Sequence, residues 1–239
     1  MAGVVQAVAE VEALVGRPPV VVGGLAVLCR LSSPYRATTD LDLVDRLRGA
    51  APQLEVLRTG EGAAPEQPAA VLLPTRFGKV KVDVLEVRQI EIDAPSDDPG
   101  DRLHAFSHAW ADDTATPVTI DVHHSLGGDP VRVTTPVAEP GPLVAMKLQA
   151  VMNRGTAKQG TDLQDVVRLV LDPAVRETLL DQIEDCDRQM AADIATHVEL
   201  WLVRRRHQAL RWIHATAGGD VTLDDVDLTA ELLLAASTR

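Results

Sequence analysis

Hydrophobic positions recur along this chain at two spacings, and they change register about halfway. Val4, Val8, Val11 and Val15 fall at helical spacing and Gly16 follows, which predicts a helix over residues 3–15. Val20-Val21-Val22 then reads as a short buried strand, Gly23-Gly24 as a turn, and the residues to about Leu31 as a helix. Ser32-Ser33-Pro34-Tyr35 is a loop into a second strand, where Asp40 and Asp42 alternate with Leu41 and Leu43. Residues 45–58 predict a helix interrupted near Pro52, and Gly60 to Pro68 an exposed loop. Ala70–Pro74 and Lys79–Val87 read as a hairpin around Arg76-Phe77-Gly78. Within it Val80, Val82 and Val84 line one face, leaving Lys79, Lys81, Asp83 and Leu85 on the other. A helix around 101–112 and strands near 117–123 and 130–134 follow.

From about residue 137 the pattern is helical throughout. Pro140–Asn153 forms one helix, and Thr161-Asp162-Leu163-Gln164 reads as a capping box opening another to Leu171. Asp172-Pro173 reads as the start of a third, since proline suits the first helical position. Residues 187–215 are long and amphipathic, and Thr222-Leu223-Asp224-Asp225 opens a final helix. The chain therefore reads as an α/β (α+β) protein, with a mixed-sheet half over residues 1–136 and a helical half over 137–239.

With 46% hydrophobic residues in 239, the chain can bury a sizeable core. No apolar run approaches a membrane span and the first residues lack a signal-peptide pattern, so no membrane partner is expected. Cys29 and Cys186 are the only cysteines, without CxxC or zinc-type spacing, which points to a reducing, cytoplasmic setting. Aromatic residues make up 3%, which argues against base stacking as the main binding mode. A net charge of −12 argues against a general nucleic-acid coat protein, though an RNA substrate on a local basic patch stays open.

The candidate chemistry centres on acids. In a strand Asp40 and Asp42 project to one face, and two adjacent carboxylates repel unless a cation lies between them. Hard oxygen ligands suit Mg²⁺, which completes its shell with water and substrate phosphates. Gly23-Gly24 at a helix start lets backbone approach a phosphate closely, and the N–H groups there favour an anion. Asp83 is either an exposed hairpin residue or a third metal ligand or general base; Asp121, also on a predicted strand, competes for that place. In the helical half Asp162 and Asp165 share a helix face. With Lys147, Arg154 and Lys158 they form either a solvated charged face or a group in which Lys147 reaches a triphosphate. Arg204-Arg205-Arg206-His207 with Arg211 is the dense basic cluster, either a wet helix face or an RNA-backbone contact. His123 and His124 point to opposite faces of a strand, which disfavours joint metal ligation.

These residues resemble a known pattern. Gly23-Gly24, Asp40-Leu41-Asp42 and Asp83 are similar to the signature of the DNA polymerase β-like nucleotidyltransferase superfamily. Arg36-Ala37-Thr38-Thr39-Asp40-Leu41-Asp42 resembles the Arg-x-Thr-x-Asp-x-Asp form of its AbiEii-type toxins, which include the mycobacterial MenT group. Lys147 to Arg154 and Lys158-Gln159-Gly160-Thr161-Asp162-Leu163-Gln164-Asp165 resemble that branch's helical motif, so the likeness spans roughly residues 20–170. Leu25 departs from it where relatives have a small hydroxyl residue, and Thr161 where a basic one is frequent; the last 70 or so residues carry no matching motif.

The resemblance implies a nucleotidyltransferase core followed by a helical domain. It implies transfer of a nucleoside monophosphate from an NTP to an acceptor hydroxyl with release of pyrophosphate, and two Mg²⁺ ions held by Asp40, Asp42 and Asp83. Gly23, Gly24, Arg36, Thr38, Lys147 and Asp162 would serve the nucleotide. The toxin branch adds a tRNA acceptor end as substrate and a separately encoded antitoxin as partner. Two other readings stand beside it: nucleotidyl transfer to an aminoglycoside-like small molecule or a protein side chain, and a non-catalytic nucleotide-binding regulator.

Overall fold

A computed structural model of the chain describes residues 1–123, 129–216 and 218–238. His124 lies outside the described residues. Two compact units emerge, the first from residues 1–29, 34–89 and 111–138, the second from 30–33, 90–110 and 139–239.

The first unit is built on a seven-stranded mixed sheet. In chain order its elements begin with helix α1 (Ala2–Val15), strand β1 (Val20–Val22), helix α2 (Gly23–Arg30), strand β2 (Leu41–Asp45) and helix α3 (Gln53–Arg58). Strands β3 (Ala64–Gln67), β4 (Ala70–Thr75) and β5 (Gly78–Glu86) follow. After helices α4 (Gln89–Asp93) and α5 (Pro99–Thr114), most of which belong to the second unit, come β6 (Thr116–Val122) and β7 (Val131–Val137). The strand order is β3-β4-β5-β2-β1-β7-β6, with β2–β5 and β1–β7 parallel and the other pairs antiparallel.

Alternation fixes the faces. Leu41 and Leu43 of β2 stand in register with Val82 and Val84 of β5, and all four are buried. The valines of α1 cover this side, with Gly3 against Val80, because Val4, Val5, Val8 and Val11 form an apolar stripe. Asp42 and Asp83 must then project from the opposite face.

The second unit is helical. After α5 come α6 (Pro140–Ala150) with a 3₁₀ turn (Val151–Asn153), α7 (Thr156–Leu171), α8 (Arg176–Glu184) and α9 (Arg188–Val198). A π-helical segment (Glu199–Arg204) leads into α10 (Arg206–His214), and α11 (Leu223–Ser237) closes the chain. Helix α6 is buried almost along its whole length, as its apolar sequence requires, and packs against α7, α8 and α9. Gly160 of α7 lies so close to the Trp212 carbonyl of α10 that a side chain there would overlap it. At the start of α11, the helix the sequence opens at Thr222, the Thr222 hydroxyl accepts from the Asp225 N–H and the Asp225 carboxylate accepts from the Thr222 N–H, a reciprocal cap.

Several local expectations need correction. The helix expected over 45–58 is confined to Gln53–Arg58. Asp45 still belongs to β2, and its buried carboxylate accepts from the N–H groups of Leu47 and Gln53, bending the chain into a loop where Leu47 has φ 53. The loop expected over 60–68 contains strand β3, an exposed edge that tolerates Pro65. Helix α7 begins at Thr156, so Thr161 is an interior residue and not its cap. Asp172 does not start a helix at Pro173; its carboxylate accepts from the N–H and hydroxyl of Ser32 and from the Ala174 N–H, and α8 begins at Arg176. The helix expected over 187–215 is broken by its π segment, which adds a residue to the turn that periodicity cannot register.

Candidate functional site

In the first unit the glycine turn and the aspartates come together. Gly23 follows β1 with φ 64, a left-handed conformation that suits glycine. A side chain there would also overlap the Asp42 carboxylate. The acid is thus seated directly on the backbone of the turn. A Cβ at Gly24 would come within 3.1 Å of both Arg36 Nη2 and Thr38 Oγ1, so the guanidinium and hydroxyl lie against the next residue of the same turn. Four residues expected at a nucleotide site, Gly23, Gly24, Arg36 and Thr38, are therefore neighbours of Asp42 or of one another.

The third acid arrives from a distant segment. Asp42 of β2 and Asp83 of β5 are register partners in a parallel pair, so both side chains leave the same face of adjacent strands. Asp40 sits one residue before β2 and accepts a hydrogen bond from the Thr39 hydroxyl at 3.1 Å, while the Thr38 hydroxyl donates to its carbonyl. Asp121, the competitor for Asp83, lies on β6 opposite Arg132 of β7, four strands from β5 in the sheet. Lys81 was seen in the sequence only as a face residue. Its ammonium lies 2.9 Å from Asp83 Oδ2. The signal that could have identified it is its i, i+2 position relative to Asp83 on a strand.

The donor set is carboxylate oxygen, the chemistry Mg²⁺ takes. Among the described residues no three His, Cys, Asp or Glu side chains are drawn close enough together to hold a metal ion. What the sheet offers is the pair Asp42 and Asp83 with Asp40 beside them, and one or two carboxylates are the usual protein share of a Mg²⁺ shell.

In the second unit Lys147 is almost wholly buried, and its ammonium lies 2.7 Å from Asp162 Oδ1 and 2.8 Å from Asp165 Oδ2. Asp162 and Asp165 are one turn apart on α7, so one lysine from α6 bridges both. Burial alone would lower the lysine pKa, but Asp165 and Asp162 overrule it and hold the value above that of an ordinary lysine. Arg154 Nη1 approaches Asp162 Oδ2 at 3.5 Å from the surface. The lysine expected to reach a triphosphate therefore spends its charge on two buried acids.

The arginine cluster is similarly engaged. Arg204 pairs with Glu199 and Arg206 with Asp227, while the Arg205 guanidinium lies 5.0 Å from the Trp201 ring centre. A buried polar group that the sequence reading missed lies on α5: the His108 ring, whose Nδ1 is 2.6 Å from the His104 carbonyl. Burial and the neighbouring His104 push its pKa down to about 3, so it is neutral at physiological pH. Helical i, i+4 spacing of His104 and His108 was the available signal.

No helix among the described residues is long and apolar enough to cross a membrane. The chain matches no protein-family model. It matches no curated protein sequence. Among solved structures, it is similar to an antigenic nucleotidyltransferase-like protein from Paracoccidioides brasiliensis, with 18% sequence identity and a TM-score of 0.44, over 90% of this chain and 93% of that one.

Proposed function

We propose that this protein is a nucleotidyltransferase that moves a nucleoside monophosphate from an NTP to an acceptor hydroxyl. The observation that carries the reading is the register pairing of Asp42 with Asp83, beside a Gly23 turn on which Asp42 rests. Two carboxylates on one face of adjacent strands, one of them already paired with the Lys81 ammonium, form an oxygen donor set of the kind a divalent cation takes.

In this reading Asp42 and Asp83, joined by Asp40, hold Mg²⁺. When bound, the metal supplies Lewis-acid neutralisation of the phosphates and a more acidic acceptor hydroxyl. The backbone N–H groups of Gly23 and Gly24, at the start of α2, would meet the phosphate chain beside the Asp42, Arg36 and Thr38 side chains that rest on that turn. Arg36 and Thr38, packed on Gly24, supply a charged and a neutral donor to the same anion. Asp83 accepts the acceptor hydroxyl's proton. The new bond joins that oxygen to the α-phosphorus, the bond to the β-phosphate bridge breaks, and pyrophosphate leaves. Lys147 and Asp162 serve by fixing α6 to α7.

The acceptor follows the toxin-branch motif around Arg36: a tRNA acceptor end, with a separately encoded antitoxin as partner. The net charge of −12 favours a second reading, a cationic small molecule such as an aminoglycoside. The test is incubation with each labelled NTP and Mg²⁺ in the presence of total tRNA, an aminoglycoside panel or protein. Label should enter one acceptor class and fall about a thousandfold in Asp42→Ala, a barrier higher by about 4 kcal/mol. No incorporation into any acceptor overturns the proposal.

A further inference from the structure

Lys81 stands where a metal ion would have to compete with it. It precedes Asp83 by two residues on β5, so both side chains leave one face, and its Nζ lies 2.9 Å from Asp83 Oδ2. Both side chains are about four-fifths buried, at 21% and 20% exposure, so solvent screens the pair only in part. The first β2–β5 register pair is Leu41 with Val82, and one residue earlier in the chain come Asp40, just before β2, and Lys81 of β5. Asp42 and Asp83, with the Lys81 ammonium on Asp83, thus share one face of two adjacent parallel strands, and Asp40 lies two residues before Asp42. Lys79, one step further back on the same face, is exposed. The guanidinium of Arg36 lies against Gly24 on the neighbouring turn.

An ammonium and a divalent cation cannot both sit against the same carboxylate oxygen. We propose that Lys81 is the resident counter-ion of the metal site. It occupies Asp83 Oδ2, and a divalent ion that takes that oxygen displaces it. It is a positioning residue: it acts through Asp83, keeping two facing acids compatible with a folded sheet before metal arrives, and it sets the metal affinity. The inference rests on the nucleotidyltransferase reading, because that reading makes Asp42 and Asp83 the metal's ligands.

The experiment titrates Mn²⁺ alone into the full-length protein by calorimetry, with free Mn²⁺ followed by its paramagnetic signal. Wild type, Lys81→Met, Lys81→Arg and Lys79→Met are compared, and Asp83→Asn is combined with Lys81→Met. Lys81→Met should bind Mn²⁺ about fivefold more tightly or better, the scale of one partly screened ion pair. Lys81→Arg should stay near wild type, since it keeps a cation on Asp83. Lys79→Met removes the same charge without touching Asp83 and should change affinity less than about twofold. In the Asp83→Asn background the Lys81→Met gain should vanish. Equal or weaker Mn²⁺ binding by Lys81→Met overturns the inference, as does an equal gain in Lys79→Met. Nucleotide transfer is assayed on the same samples. If it proceeds while Lys81→Met leaves Mn²⁺ affinity unchanged, the inference falls and the enzyme stands. If no variant binds Mn²⁺ or transfers nucleotide, both fall.

Discussion

Replacing Lys147 by methionine would test the strongest electrostatic arrangement in the second unit. The substitution keeps most of the side-chain volume and deletes one positive charge between Asp162 and Asp165, side chains 1% and 0% exposed. Two carboxylates on one helix face then share a dry environment without the lysine that bridged them, with Arg154 still 3.5 Å from Asp162 Oδ2. Breaking a buried ion pair by removing one partner costs about 3–5 kcal/mol. For a chain of this size that corresponds to a fall in Tm of roughly 6–20 °C. Trp110, Trp201 and Trp212 are the chain's only tryptophans and all belong to the second unit, so denaturant unfolding followed by tryptophan fluorescence reports on that unit. The penalty should shrink on acidification, because an isolated buried carboxylate escapes by taking a proton. In wild type the raised Lys147 pKa places its contribution fully below the unfolded value of about 10.5, to be lost only as pH rises through the folded one. Substituting Asp162→Asn and Asp165→Asn together with Lys147→Met should recover much of the loss, since no charge is then buried. A cost under about 1 kcal/mol for Lys147→Met alone, with no pH dependence, would refute the argument that this lysine balances both acids.

Three more outcomes follow from the geometry. Gly23→Ala must place a Cβ at φ 64 and push the Asp42 carboxylate aside, so Mn²⁺ binding and nucleotide transfer should both fall, transfer by about two orders of magnitude, while the second unit's tryptophan melt stays put. His108→Gln should flatten the acid limb of stability: His108 has a depressed folded pKa, so its neutral form favours folding above about pH 6.5 and that support is lost as pH falls toward 3. Between pH 6.5 and 5 wild type should lose about 2 kcal/mol more than the variant by denaturant titration, and parallel curves would refute it. Asp45→Asn should cost about 1–3 kcal/mol in a far-ultraviolet circular dichroism melt, because a buried acceptor of the Leu47 and Gln53 N–H groups becomes in part a donor; no change would show those bonds to be dispensable.

What the chain's pattern could disclose was local. Strict alternation at Val80, Val82 and Val84 fixed one strand and its two faces, and the Thr222 cap located the last helix, because each signal lies within a few residues. The pairing of Asp42 with Asp83 depends on register between segments forty residues apart, and no spacing rule reaches that far. Pro65 and its glycine- and alanine-rich surroundings hid β3, since an edge strand needs less of the usual composition. Asp162 and Asp165 were legible as one helix face, but that a single lysine from the preceding helix would bury itself between them was not. The extra residue of the π segment left the periodicity of 187–215 looking continuous.

The parallel contact between β1 and β7 has a consequence for how the chain is made. Val21 pairs with Val137, so one border of the first strand stays bare until more than half of the polypeptide has left the ribosome. A nascent or prematurely terminated chain ending before residue 131 would present an unfilled row of amides and carbonyls flanked by valines, a template for sticking to its own copies. Shielding that border during synthesis is a task this topology hands to chaperones or to speed.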